Sequence, residues 1–131
     1  MRKGLASAED VRAFLTPRLA GLSDPFLLPN MRIAVDRILQ AIDQRERIVL
    51  FGDYDVDGVT SLALLDEMLR AYGVDPQLFL PSRMEEGYGL SKEGLERCSQ
   101  TFNPQLLIAV DCGTSSSIEI AELTADRKSV V

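Results

Sequence analysis

The chain has 131 residues, 46% of them hydrophobic and 26% charged. That suffices for one buried core and excludes collagen-like, disordered and coiled-coil architectures. Fourteen Lys and Arg face 20 Asp and Glu for a net charge of −6, divided as +2 over residues 1–47 and −8 over residues 48–131; such a surface repels phosphate backbones at long range, so nucleic acid must be met through bound cations or a basic partner domain.

The first 30 residues are punctuated by Pro17, Gly21, Pro25 and Pro29. A short amphipathic helix is expected around Val11, Phe14, Leu15 and Leu19, followed by irregular chain. Asn30 is the expected N-cap of a second helix, in which Ile33, Ala34, Ile38, Leu39, Ala41 and Ile42 share one face to about Arg45. Arg47–Phe51 is a continuous, β-branched apolar run, the mark of a strand buried on both faces of a parallel sheet. After a loop from Asp53 to Gly58, a widely apolar helix runs from Val59 and halts at Gly73. Gln77–Leu80 reads as a second strand, and Ser91 caps a polar helix to about Gln100. Leu106–Val110 repeats the buried-strand signature and ends at Asp111, and Ser116 with Glu119 forms a capping box for the last helix. Ser129–Val131 resembles the opening of a fourth strand.

This alternation predicts an α/β fold with an open, doubly wound, mostly parallel sheet over residues 47–131, preceded by a helical lead-in over residues 1–46. No apolar run reaches the roughly 18 residues of a membrane span, and Met1-Arg2-Lys3 leads into a polar stretch rather than a signal-peptide core. A cytoplasmic protein without membrane contact is expected.

Asp53, Asp55 and Asp57 alternate in the loop after the first strand, and Asp111 ends another buried strand. Ligands of open parallel sheets bind outside the strand C-termini, where strand order reverses, so these carboxylates are expected to converge. Two like charges about 4 Å apart repel by roughly 4 kcal/mol at an effective dielectric of 20, so protons or a cation must neutralise the group. The chain has no histidine and only two cysteines, Cys98 and Cys112, without a Cys-x-x-Cys pattern. That excludes zinc, haem and Ser-His chemistry, and oxygen ligands suit Mg²⁺ or Mn²⁺.

Simpler readings compete. Each aspartate alone could cap a helix. Asp53–Gly58 follows an EF-hand loop until position twelve, which is Leu64 instead of Glu. Gly87-Tyr88-Gly89 is half a dinucleotide fingerprint without its preceding strand or third glycine. Asp55-Val56-Asp57-Gly58-Val59 matches the haloacid-dehalogenase phosphatase motif, with Asp55 as nucleophile, but lies a few residues too far beyond the strand.

Taken together, the segments Gly52–Ser61, Pro81-Ser82-Arg83 with Gly87–Leu90, and Val110–Ser115 resemble the DHH phosphoesterase superfamily, and within it the RecJ-type exonucleases. The resemblance spans roughly residues 4–131. It implies a two-metal, Mn²⁺-favouring enzyme that degrades single-stranded DNA from the 5′ end, with a place in DNA repair and recombination. Asp55 and Asp57 look like metal ligands, Asp111 like the carboxylate bridging two ions, and Asp53 like a loop-shaping residue behind them. A hydroxide acidified by the ions would attack phosphorus in line. Phe51 stands where some relatives carry a histidine ligand.

Arg83 is the candidate for gripping a substrate phosphate, against a surface pair with Glu85 or Glu86. Tyr88 either stacks on a base or packs the glycine-rich loop. Thr60 and Ser61, at the start of the helix after Gly58, either receive a phosphate or cap that helix. The Asp-His-His signature of the superfamily would follow Val131 and is not in the sequence. The resemblance therefore implies an N-terminal fragment with little or no activity alone. A small-nucleotide phosphodiesterase or phosphatase using the same carboxylates, and an inactive fragment, are the alternatives.

Overall fold

A computed structural model describes residues 7–82, 89–125 and 129–131. Its contacts divide the chain into two units, one ending at Arg32 and one beginning at Ile33.

In the first unit, helix α1 (Ala8–Leu15) opens with a reciprocal capping box between Ser7 and Asp10. Leu19 is not on this helix but in a separate 3-10 turn, Leu19–Gly21. Pro17 explains the break, because proline has no N–H to donate and restricts the residue before it. A second 3-10 turn, Pro25–Leu27, is capped by the Asp24 side chain, which accepts from the Phe26 N–H at 2.9 Å. The Arg32 guanidinium lies 4.4 Å above the Phe26 ring.

Helix α2 runs Met31–Asp43. Asn30 does not adopt the extended backbone of an N-cap. Its φ is 62°, a left-handed turn that asparagine tolerates better than most residues and that redirects the chain out of the preceding 3-10 turn.

The second unit is built on β1 (Ile48–Phe51), α3 (Val56–Ala71), β2 (Gln77–Phe79), α4 (Lys92–Phe102), β3 (Leu106–Ala109), α5 (Ser117–Ala125) and β4 (Ser129–Val130). The strands form one sheet in the order β2-β1-β3-β4, with every neighbouring pair parallel. This is the α/β architecture expected from the alternation of strands and helices.

Side chains alternate across a strand, so β1 feeds two cores. Val49 and Phe51 join Phe79, Leu95, Leu107 and Leu123 on the face covered by α4 and α5. Ile48 and Leu50 join Ala41, Leu62, Leu69 and Ile108 on the face covered by α2 and α3. Phe51 stacks on Phe79 with ring centroids 5.0 Å apart. It is fully buried and serves the core.

Helix α3 begins three residues earlier than the pattern predicts. Asp55 is its N-cap, accepting from the Gly58 N–H at 3.0 Å, so Asp57 and Gly58 belong to the first turn. Ser91 caps α4 as expected, accepting from the Gly94 N–H at 3.1 Å. Among the described residues no helix is long and apolar enough to cross a membrane.

Candidate metal centre

The first and third strands are neighbours, with Phe51 in register with Ala109. The Val110 N–H donates to the Phe51 carbonyl at 2.9 Å, so the two chains leave the sheet side by side. From β1 the chain turns to α3 on one face and then to β2; from β3 it turns to α5 on the other face and then to β4. That divergence makes the β1/β3 tips the switch point of the sheet, where two loops part and leave a crevice. Asp55 and Asp57 stand exposed on one side of it, with Asp53 buried beneath them, and Asp111 stands exposed on the other.

Each aspartate is differently held. Asp53 is 0% exposed. Its Oδ1 accepts from the Tyr54 N–H at 2.7 Å, while its Oδ2, equally buried, has no hydrogen-bond partner among the described residues. A carboxylate oxygen taken out of water without a partner is costly, and a cation or a donor is its usual complement. Asp55 and Asp57 are exposed, and Asp55 devotes Oδ1 to its cap.

Gly58 is the reason the loop is so tight. A Cβ there would stand 2.3 Å from the Asp53 carbonyl oxygen and 2.7 Å from the Asp53 nitrogen. Only a residue without a side chain lets the first turn of α3 settle on the Asp53 backbone and seal it from solvent.

Asp111 is exposed and has φ 60°, a conformation unusual outside glycine. Its carboxyl is pushed above the ordinary range. Loss of water to neighbouring protein atoms comes first, followed by the charges of Asp55 and Asp57, a shared hydrogen bond with Asp55, and the charge of Asp53. Carboxylates from the tips of two strands therefore feel one another. The neighbouring Cys112 thiol is pushed up to about 11 by burial and by the charges of Asp53 and Asp111. Without a cation beside it, it stays a thiol at neutral pH.

Among the described residues, no three His, Cys, Asp or Glu side chains already stand in an arrangement that could hold an ion. Asp111 feels the other three aspartates, but the four do not form a closed ligand shell. The donor set still fits a hard divalent cation: oxygen ligands, a shared negative field, and one buried oxygen without a partner. The flanks of the loop exclude an EF-hand, because a strand precedes it. Asp55 is a helix cap four residues past the end of β1, and this position is wrong for the phosphatase nucleophile.

The Thr60 hydroxyl donates to the Val56 carbonyl at 2.7 Å and lies 3.2 Å from that of Asp57, so its proton stays within the helix. Ser61 is half-buried one residue further on. Arg83, Glu85, Glu86 and Tyr88 lie outside the described residues.

Sequence reasoning did not single out the burial of Asp53 or the close approach at Gly58. The signal for both is a glycine in the first turn of a helix whose cap is Asp55, a position where glycine is unfavourable unless something packs against it.

The field at Asp111 carries a prediction. A carboxyl whose pKa is raised by folding lends stability when protonated and loses it as pH rises through the folded value. Asp111→Asn, without the charge, is expected to raise the melting temperature of the metal-free chain at pH 7. The difference should shrink to nothing below the ordinary carboxylate range. Thermal melts of both proteins in chelator, across pH 3–7, check it.

Residues 47–131 match the family model described as DHH family, N-terminal domain. The chain belongs to the DHH family. DHH relatives include the single-stranded-DNA-specific exonuclease RecJ of Bacillus subtilis, 37% identical over 116 residues, covering 88% of this chain and 15% of that protein. The RecJ of Thermus thermophilus is 36% identical over 129 residues, covering 98% of this chain and 18% of that one. This DHH chain thus spans less than a fifth of the length of those relatives. Among solved structures, exonuclease RecJ bound to manganese superposes with a TM-score of 0.70 at 38% identity, covering 79% of this chain and 27% of that one. RecJ in complex with Mn²⁺ from Thermus thermophilus superposes with a TM-score of 0.67 at 33% identity, covering 88% of this chain and 15% of that one.

Proposed function

We propose that this chain is the acidic part of the metal centre of a RecJ-type exonuclease, a hydrolase that removes nucleotides from the 5′ end of single-stranded DNA. One observation carries the reading: β1 and β3 leave the sheet side by side, so Asp111 after β3 faces the loop and first helical turn that carry Asp55 and Asp57 after β1. The manganese complexes among the structural neighbours support Mn²⁺. Mg²⁺ satisfies the same oxygen donors.

Asp55, Asp57 and Asp111 are the residues that would hold the ions. Asp53 shapes the loop from beneath with its buried carboxylate. The ions, when bound, supply Lewis acidity that lowers the pKa of water and offsets charge on the phosphate. The N-terminus of α3 receives the substrate phosphate at its first-turn amides, with Thr60 and Ser61 one turn further in and the Thr60 hydroxyl engaged within the helix. Arg83 adds a guanidinium for the same phosphate. Because residues 48–131 are acidic, the charge of this part of the chain does not by itself attract a phosphate backbone.

The test is a transplant. The segment of the Bacillus subtilis relative that matches this chain is replaced by this chain, and release of mononucleotides from 5′-labelled single-stranded DNA is followed with Mn²⁺. Activity is expected to survive, and Asp57→Ala within the transplant is expected to lower it about 10³-fold, the equivalent of several kcal/mol of lost transition-state stabilisation. Full activity in that variant, or a preference for dinucleotides over long oligonucleotides, overturns the reading.

A further inference from the structure

The turn that carries Asp111 is unfavourable by itself. Asp111 has φ 60° and Gly113 has φ 95°, and a non-glycine residue persists there only where its surroundings impose the conformation. Both ends of the turn are tied. Upstream, the Ala109 and Val110 N–H groups donate to the carbonyls of Val131 and Phe51 at 2.8 and 2.9 Å. Downstream, the Ser116 N–H donates to the Gly113 carbonyl at 3.0 Å.

Between these ties, packing against the segment before α4 supports the turn. A Cβ on Gly113 would stand 2.5 Å from Leu90 Cδ1, so the Leu90 side chain occupies the space that glycine leaves open. Gly89 packs beside it, its Cβ position 3.9 Å from Cys112 Cβ. Leu90 is itself braced: the Ser91 N–H donates to the Gly89 carbonyl at 3.1 Å, and Ser91 caps α4. It is 4% exposed and shares its core cluster with Leu95 of α4 and Leu123 of α5.

We propose that Leu90 is a positioning residue for Asp111, locking the backbone of the Asp111–Gly113 turn from the start of α4 so that the carboxylate meets those on the β1 tip. The proposal rests on the metal-centre reading above but adds a residue that holds no ion and touches no substrate. A ligand displaced by loss of its support loses affinity, about tenfold where an outer-shell partner is removed. A core residue that only fills volume lowers stability and leaves affinity alone.

Leu95 is the control, because it is also 4% exposed and lies in the same cluster. Leu90→Ala, Leu90→Met and Leu95→Ala are made in the chain. Two quantities are read: Mn²⁺ affinity from the electron paramagnetic resonance signal of the free ion, and hydrogen exchange of the Ser116 amide in chelator. Leu90→Ala is expected to weaken Mn²⁺ binding about tenfold and to speed Ser116 exchange beyond what the loss of global stability explains. Leu90→Met is expected to restore both, and Leu95→Ala to leave affinity within about twofold. Leu90→Ala that follows Leu95→Ala in both readouts overturns the proposal. If the wild-type chain alone takes up no Mn²⁺, Ser116 exchange in chelator decides the role of Leu90, and the transplant described above decides the metal centre.

Discussion

Gly58→Ala is expected to be among the most damaging single-methyl additions in this chain. The added Cβ would meet the Asp53 carbonyl oxygen at 2.3 Å, its nitrogen at 2.7 Å and its carbonyl carbon at 2.8 Å. These are backbone atoms, so no rotamer change relieves the contact. The first turn of α3 must lift away from the loop, which weakens the Asp55 cap and admits water to the Asp53 carboxylate. Alanine is ordinarily the better helix residue by about 1 kcal/mol, and here that preference is overwhelmed. We expect a loss of about 3 kcal/mol, the upper end of overpacking effects, together with loss of Mn²⁺ binding. The contrast is Gly21→Ala, whose Cβ meets nothing within 4 Å and which should change stability by less than about 0.5 kcal/mol. Urea denaturation of the two variants beside the wild type checks the pair. A Gly58→Ala chain as stable as Gly21→Ala would show that α3 does not rest on Asp53.

Asp55 separates two roles in one side chain. Its Oδ1 accepts the Gly58 N–H and so caps α3, while the charge belongs to the crevice. Asp55→Asn keeps an acceptor of the same shape at the cap and removes the charge. Asp55→Ala removes both. The asparagine variant is therefore expected to fold with nearly unchanged stability, and the alanine variant to lose about 1 kcal/mol, as N-cap deletions do. Both are expected to weaken Mn²⁺ binding by about a hundredfold or more, at or beyond the upper end of what losing an outer-shell partner does. Thermal melts in chelator give the first comparison and Mn²⁺ titration the second. If asparagine binds Mn²⁺ as well as aspartate does, Asp55 is a cap and nothing else, and the metal centre must be drawn without it.

Both predictions turn on a loop whose chemistry was visible in the sequence and whose geometry was not. The buried strands were legible because Ile48–Phe51 and Leu106–Ala109 are short, continuous apolar runs, and such runs have few stable homes besides the middle of a parallel sheet. The side of the sheet at which the aspartates gather followed from that placement, since loops after parallel strands open at one edge. Ser91 as a cap was legible because capping depends on residues three apart. The lead-in was harder: Leu19 keeps helical spacing with Leu15, yet Pro17 cuts the helix first.

By itself, then, the order of residues determined the α/β class, the parallel sheet and the cluster of hard oxygen donors, because hydrophobic periodicity and turn chemistry are local properties. Tertiary structure alone decided which aspartate is buried, that Gly58 lies against the Asp53 backbone, and that Leu90 fills the gap at Gly113. Those facts depend on contacts between segments that only folding brings within a few ångströms. Burial, charge coupling and left-handed strain at Asp111 are sums over such contacts, and no spacing along the chain encodes them.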